Sequence, residues 1–126
     1  MKKSTREWIK KAESDYQLAV SLMRRRKVPV RDHVCFHFQQ AAEKYVKARL
    51  EEANVRFPKT HDIEQLVMMA ASLEPLWTAL ASAGKHLTRY GVRFRYPGAE
   101  ASAAETKTAH KDAKVIRQEA RTALGL

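Results

Sequence analysis

The stretch Val34-Cys35-Phe36-His37-Phe38-Gln39-Gln40-Ala41-Ala42-Glu43-Lys44-Tyr45-Val46-Lys47-Ala48-Arg49-Leu50 decides the fold. Within it Val34, Phe38, Ala41, Tyr45 and Ala48 recur at three- and four-residue spacing, the stripe of a helix. Cys35, Ala42, Val46 and Leu50 widen that stripe on one side. At about 100° per residue the remaining arc carries His37, Gln40, Lys44, Lys47 and Glu51. A helix with so broad an apolar face and so narrow a polar one needs neighbours on several sides. The pattern predicts the central helix of a bundle over about residues 33–53, with Asp32 as its N-cap.

Upstream, Ser4 and Glu7 have the form of a capping box, and Trp8, Ala12, Tyr16, Ala19 and Met23 follow at helical spacing. A first helix is expected over about 5–25, closed by the cations Arg24, Arg25, Arg26 and Lys27, read as a solvated cap in preference to a binding patch, and stopped by Pro29. Downstream, Asn54 to Thr60 breaks the pattern at Pro58. Thr60 is placed to cap a short helix with Ile63, Leu66, Val67 and Ala70. Pro75 suits the first turn of another with Trp77, Leu80 and Leu87. From Thr88 to Gly98 arginines, aromatics and turn residues mix without helical period, as in a functional loop. Ser102 and Glu105 repeat the capping-box form ahead of Ala109, Ala113, Ile116, Ala120 and Leu124, which end near Gly125. The sum is an all-α, up-and-down antiparallel bundle of four to five helices.

Composition narrows the function. With 126 residues, 44% apolar and 30% charged, the chain is expected to form a single domain over 1–126. Four Gly and four Pro are too few for a turn-rich β fold. The formal charge of +10 makes nucleic acid, nucleotides or an acidic protein natural partners. The longest apolar run, Leu66 to Ala71, is far short of the roughly 20 residues of a membrane-spanning helix. The charged start, Lys2-Lys3-Ser4-Thr5-Arg6-Glu7, lacks the apolar core of a secretory signal, so a cytoplasmic location without a membrane partner is expected. Cys35 is the one cysteine, which excludes a disulfide framework and a cysteine-rich zinc site.

Candidate chemistry is limited. His33 and His37 are four apart, but no Glu or Cys follows at zincin spacing, and no metal or other cofactor is expected. Cys35, on the apolar side of its helix, suits a buried structural thiol. No Gly-x-Ser-x-Gly elbow, Walker loop or Gly-x-Gly-x-x-Gly occurs. The polar stripe His37, Gln40, Lys44 and Lys47 has two readings, a solvated face or a phosphate-contacting one. Likewise Arg89, Arg93 and Arg95, interleaved with Tyr90, Phe94 and Tyr96, either clamp phosphates and stack on bases or pack onto the bundle. His61, near a helix start, is a capping or packing residue or a member of a site.

Four segments carry a resemblance. They are Trp8 with Ala12, Asp15 and Ala19; Phe36 to Lys44, continuing to Lys47 and Leu50; Phe57-Pro58-Lys59-Thr60-His61-Asp62 with Leu66; and Arg95-Tyr96-Pro97. In this order the chain resembles the HEPN family, the small helical domains named for higher eukaryotes and prokaryotes nucleotide-binding. The resemblance implies a bundle of four or five helices that dimerises. It also implies one of two functions. Members with Thr-His-Asp and Arg-Tyr-Pro signatures look like partners of a separate small nucleotidyltransferase in toxin–antitoxin-type systems. The expectation is therefore a homodimeric module binding nucleotide or RNA through Gln40, Lys44, Lys47, His61, Arg93, Arg95 and Tyr96. Other members are metal-independent ribonucleases with an Arg, four to six residues, then a His. Arg31 and His37 enclose five residues and are the catalytic candidates of that alternative, although the ribonucleases usually carry the motif on a later helix. There Arg31 would stabilise charge on the scissile phosphate, and His37 would transfer the proton.

Overall fold

A computed structural model describes residues 1–25, 28–92 and 97–126. They form five α-helices: α1 (Lys3–Met23), α2 (Val28–Glu52), α3 (Ile63–Ala70), α4 (Ala81–Thr88) and α5 (Ala103–Ala123). Short 3-10 turns at Pro75–Leu80 and Arg89–Gly91 flank α4, and no strand occurs among the described residues. The α2 helix touches all four others, so the helix with the widest apolar face is the central one.

Contacts fix the directions. Lys2 and Thr5 at the start of α1 bond Glu52 at the end of α2, while Asp15, further along α1, meets His37. The α1 and α2 helices are therefore antiparallel. Asp32 reaches Ala101, Phe38 stacks on His110, and Arg121 donates to Tyr45, so α5 runs along α2 in the same sense and antiparallel to α1. The short α3 and α4 return the chain to the end where α2 begins. They approach closely at Gly84, where a Cβ would stand 3.0 Å from Ile63 Cγ2 and 3.2 Å from the backbone nitrogen of Glu64.

The expected stripes form one core. Ala12, Tyr16 and Ala19 of α1, Val34, Phe38, Ala41, Tyr45 and Leu50 of α2, and Ala109, Ala113, Ile116 and Ala120 of α5 are buried together. Cys35 lies inside this core, fully buried. Tyr45 is also fully buried, its hydroxyl donating to Glu13 Oε1 and Oε2 at 3.2 Å. Arg117 of α5 grips the same carboxylate with Nε at 2.7 Å from Oε1 and Nη2 at 2.8 Å from Oε2, tying the three long helices at one point.

N-caps differ from the sequence expectation in three of four cases, while Pro75 does stand in the first turn of its helix, a 3-10 one. The Ser102–Glu105 capping box forms, with Glu105 N donating to Ser102 Oγ at 3.0 Å and Ser102 N to Glu105 Oε1 at 3.1 Å. Ser4 and Glu7 do not cap α1, which starts after Lys2. Ser4 instead donates to Glu51 Oε1 at 2.7 Å, because an acidic end of α2 lies beside it. Asp32 is not an N-cap either. The α2 helix begins at Val28 with Pro29 in its first turn, where proline's missing N–H costs no helical bond. Asp32 accepts from Ala101 N at 2.7 Å. Asp62 rather than Thr60 caps α3, accepting from Gln65 N at 3.1 Å, while Thr60 Oγ1 accepts from Asp62 N.

Candidate functional site

Two carboxylates organise the polar arc of α2. Asp15 of α1 faces His37 and Lys44, which are seven residues apart and so share one face of α2. Its Oδ1 lies 2.9 Å from His37 Nδ1, and its Oδ2 accepts from Lys44 Nζ. Committing Nδ1 to Asp15 leaves Nε2 as the nitrogen for any further partner.

Glu43, one turn before Lys47, is the second organiser. Its side chain is 4% exposed, and Oε2 accepts from Lys47 Nζ at 3.1 Å. Oε1 accepts from Gln39 Nε2 at 3.1 Å and lies 2.9 Å from His61 Nδ1. Gln40 Nε2 donates to Gln39 Oε1 at 2.8 Å, which extends the network toward the surface. Lys47 Nζ also stands 5.5 Å from the Trp8 ring centre and 5.8 Å from that of Phe57, two rings that meet edge-on.

The structure thus brings Gln40, Lys47 and His61 together through Gln39 and Glu43, and Lys44 and His37 together through Asp15. Lys47 is inside the protein, 6% exposed, and not on a solvated face. Its position in the narrow polar arc conceals this, because α1 and the Phe57 segment cover that arc. An i,i+4 glutamate makes such burial tolerable. His61 is at the mouth of the network, its side chain 73% exposed. In the arginine-rich loop Tyr90 packs down, 3% exposed, whereas Arg89 is exposed. Arg93, Arg95 and Tyr96, the binding candidates of that loop, lie outside the described residues.

Arg31 and His37 do not converge within one chain. Both belong to α2, and six residues of helix separate them by about 120° and a rise of roughly 9 Å. His37 faces Asp15, and Arg31 lines a cavity where α1 ends and α5 begins.

Asp15 and Glu43 are absent from the site expected on sequence. The i,i+4 relations Gln39–Glu43–Lys47 are the available signal for Glu43, and no local spacing links Asp15 to α2. Among the described residues no cluster of three or more His, Cys, Asp or Glu is arranged to hold a metal. No described helix is long and apolar enough to cross a membrane.

A family model described as the HEPN domain matches residues 5–123. The chain belongs to the HEPN family. Among solved structures, this HEPN domain is similar to TT1696 from Thermus thermophilus, with a TM-score of 0.79 and 21% identity. The alignment covers 94% of this chain and 97% of that one, a likeness of fold. No curated protein matches. The HEPN match runs through both carboxylates, α2 and α5.

Proposed function

We propose that this HEPN domain is a nucleotide- or RNA-binding module, acting as a homodimer beside a small nucleotidyltransferase in a toxin–antitoxin-type two-component system. The observation that supports binding is a lysine stripe on α5. Lys107, Lys111 and Lys114 are exposed at four- and three-residue spacing, on one helix face, and no salt bridge engages them among the described residues. Such a row follows a phosphate backbone without reading bases. Lys44, His61, Arg93 and Arg95 are assigned to the same partner as secondary contacts. Affinity for single-stranded RNA should fall steeply with salt. Replacing Lys111 and Lys114 by alanine should lower affinity and flatten the log–log salt slope by about 0.7 for each phosphate no longer neutralised. An unchanged slope rejects the stripe. Lys44→Ala and Arg93→Ala/Arg95→Ala test the secondary contacts in the same titration.

A second function, metal-independent ribonuclease, is favoured by one observation: the Asp15 carboxylate orients His37 as a general acid–base group would need. Since Arg31 diverges from His37, this activity requires a second copy to supply the arginine. Cleavage in chelator that is lost in both His37→Ala and Arg31→Ala would establish it, and cleavage unchanged by both would reject it.

A further inference from the structure

Access to solvent and a fixed partner on the second nitrogen make an imidazole a ready nucleophile, and the five histidines divide by these two properties. His33 and His86 have access without assistance. No carboxylate holds His33 among the described residues, and Asp112 Oδ2 is 3.6 Å from His86 Nδ1, too far for a hydrogen bond. His37 is oriented by Asp15, yet only 23% of its side chain is exposed. His110 is engaged inside the bundle, with Nε2 against the Tyr16 hydroxyl and its ring stacked on Phe38. His61 has both properties. Its side chain is 73% exposed, and its Nδ1 lies 2.9 Å from Oε1 of Glu43, a carboxylate only 4% exposed. Glu43 already accepts from Lys47 Nζ and Gln39 Nε2, each at 3.1 Å, and as a carboxylate it can only accept, so the proton between it and the ring belongs to Nδ1. The lone pair of neutral His61 is therefore on Nε2, the nitrogen left to solvent.

Attack from Nε2 makes the ring cationic through its retained Nδ1 proton, and the charge of Glu43 is placed to stabilise that cation. The surroundings select the electrophile. Acyl transfer needs free N–H donors for an oxyanion, but the N–H groups of Asp62, Ile63 and Gln65 are already given to Thr60 Oγ1, Thr88 Oγ1 and Asp62 Oδ1. Phosphoryl transfer depends mainly on position and on a field that tolerates negative charge, which a chain of formal charge +10 supplies. We propose that His61 is a phosphoryl-acceptor site, modified on Nε2 by a small acyl phosphate. The Nε2 lone pair forms the N–P bond as the P–O bond to the acyl group breaks. The carboxylate leaves with that electron pair, and the Nδ1 proton stays on the ring opposite Glu43, which is a positioning residue in this step. Neither RNA nor Arg31 takes part, so the modification goes beyond the proposed function and is judged apart from it.

The test is incubation of the full chain with acetyl phosphate, followed by peptide mass spectrometry in alkali, which preserves an N–P bond. The peptide carrying His61 should gain a phosphoryl group at least about tenfold faster than those carrying His33 and His86, the exposed histidines of the same molecule. His61→Asn, at an exposed position, should remove that label. Glu43→Gln combined with Lys47→Met takes away both buried charges together, so the fold is kept, as circular dichroism should verify. In that variant the His61 rate should fall to that of His33, while the His33 and His86 rates stay unchanged. Absence of label, equal labelling of the three histidines, an acetyl in place of a phosphoryl gain at His61, or a His61 rate unmoved by the double variant would overturn the assignment. RNA binding by the unlabelled chain is measured separately, and its outcome leaves this result as it stands.

Discussion

The cations between α1 and α2 and those around the start of α5 differ in what faces them. Lys44 and Lys47 are each matched by a carboxylate that is itself largely buried, and their ammonium groups are oriented by the fold. Arg24, Arg31 and Lys107 surround a cavity with no carboxylate among its described lining residues. Cationic side chains therefore meet two situations: in the first region they pair with the chain's own acids, Lys44 keeping 22% of its side chain exposed, and in the second no acid among the described lining residues answers them. Charge on a helical arc does not distinguish these. The residue four positions away, or on the next helix, does.

The largest effect should follow from breaking the first region at Glu43. Glu43→Ala leaves the Lys47 ammonium buried without a counter-charge and should cost about 3–5 kcal/mol in denaturant unfolding. The double change Glu43→Leu with Lys47→Met should recover most of that loss, because two apolar side chains need no partner. Recovery would show that the network is not itself a source of stability. A smaller effect is expected at Glu13. Burial pushes its carboxyl pKa up, but the hydrogen bonds and charge of Arg117, aided by Tyr45 and Arg121, outweigh this and hold it below the ordinary 4.5. A lowered folded-state pKa means stability that is present above the unfolded value and lost as pH falls through the folded one. Thermal midpoints should therefore decline below about pH 4.5, and Glu13→Gln should flatten that limb while lowering the plateau. The smallest change belongs to the second region. Lys107→Gln should move stability by no more than about 0.5 kcal/mol, since Lys107 is exposed and is held by no salt bridge among the described residues. A larger destabilisation there would erase the contrast between the two regions.

The helices and their buried stripes are legible in the sequence because period-3.6 patterning depends on residues close along the chain. Val34, Phe38, Ala41 and Tyr45 announce one face of α2, and that face is buried. Helix starts are less legible because Ser4 and Asp32 find partners far along the chain, at Glu51 and Ala101, in competition with local caps. The candidate site is legible only in part. Gln40, Lys44, Lys47 and His61 stand out by residue type, but the acids that position them come from a neighbouring turn or another helix. Arg24, Lys107 and His110 do not stand out as a group for the same reason, since only packing of α1, α2 and α5 assembles their cavity.

The sealed position of Cys35 has a practical consequence. It is the chain's one thiol, on the central helix, with no exposed surface. An alkylating reagent can reach it only when the middle of the bundle opens, so the labelling rate serves as an intrinsic clock for breathing of the core. A ligand gripping the ends of α1, α2 and α5 would slow that clock without ever touching the sulfur.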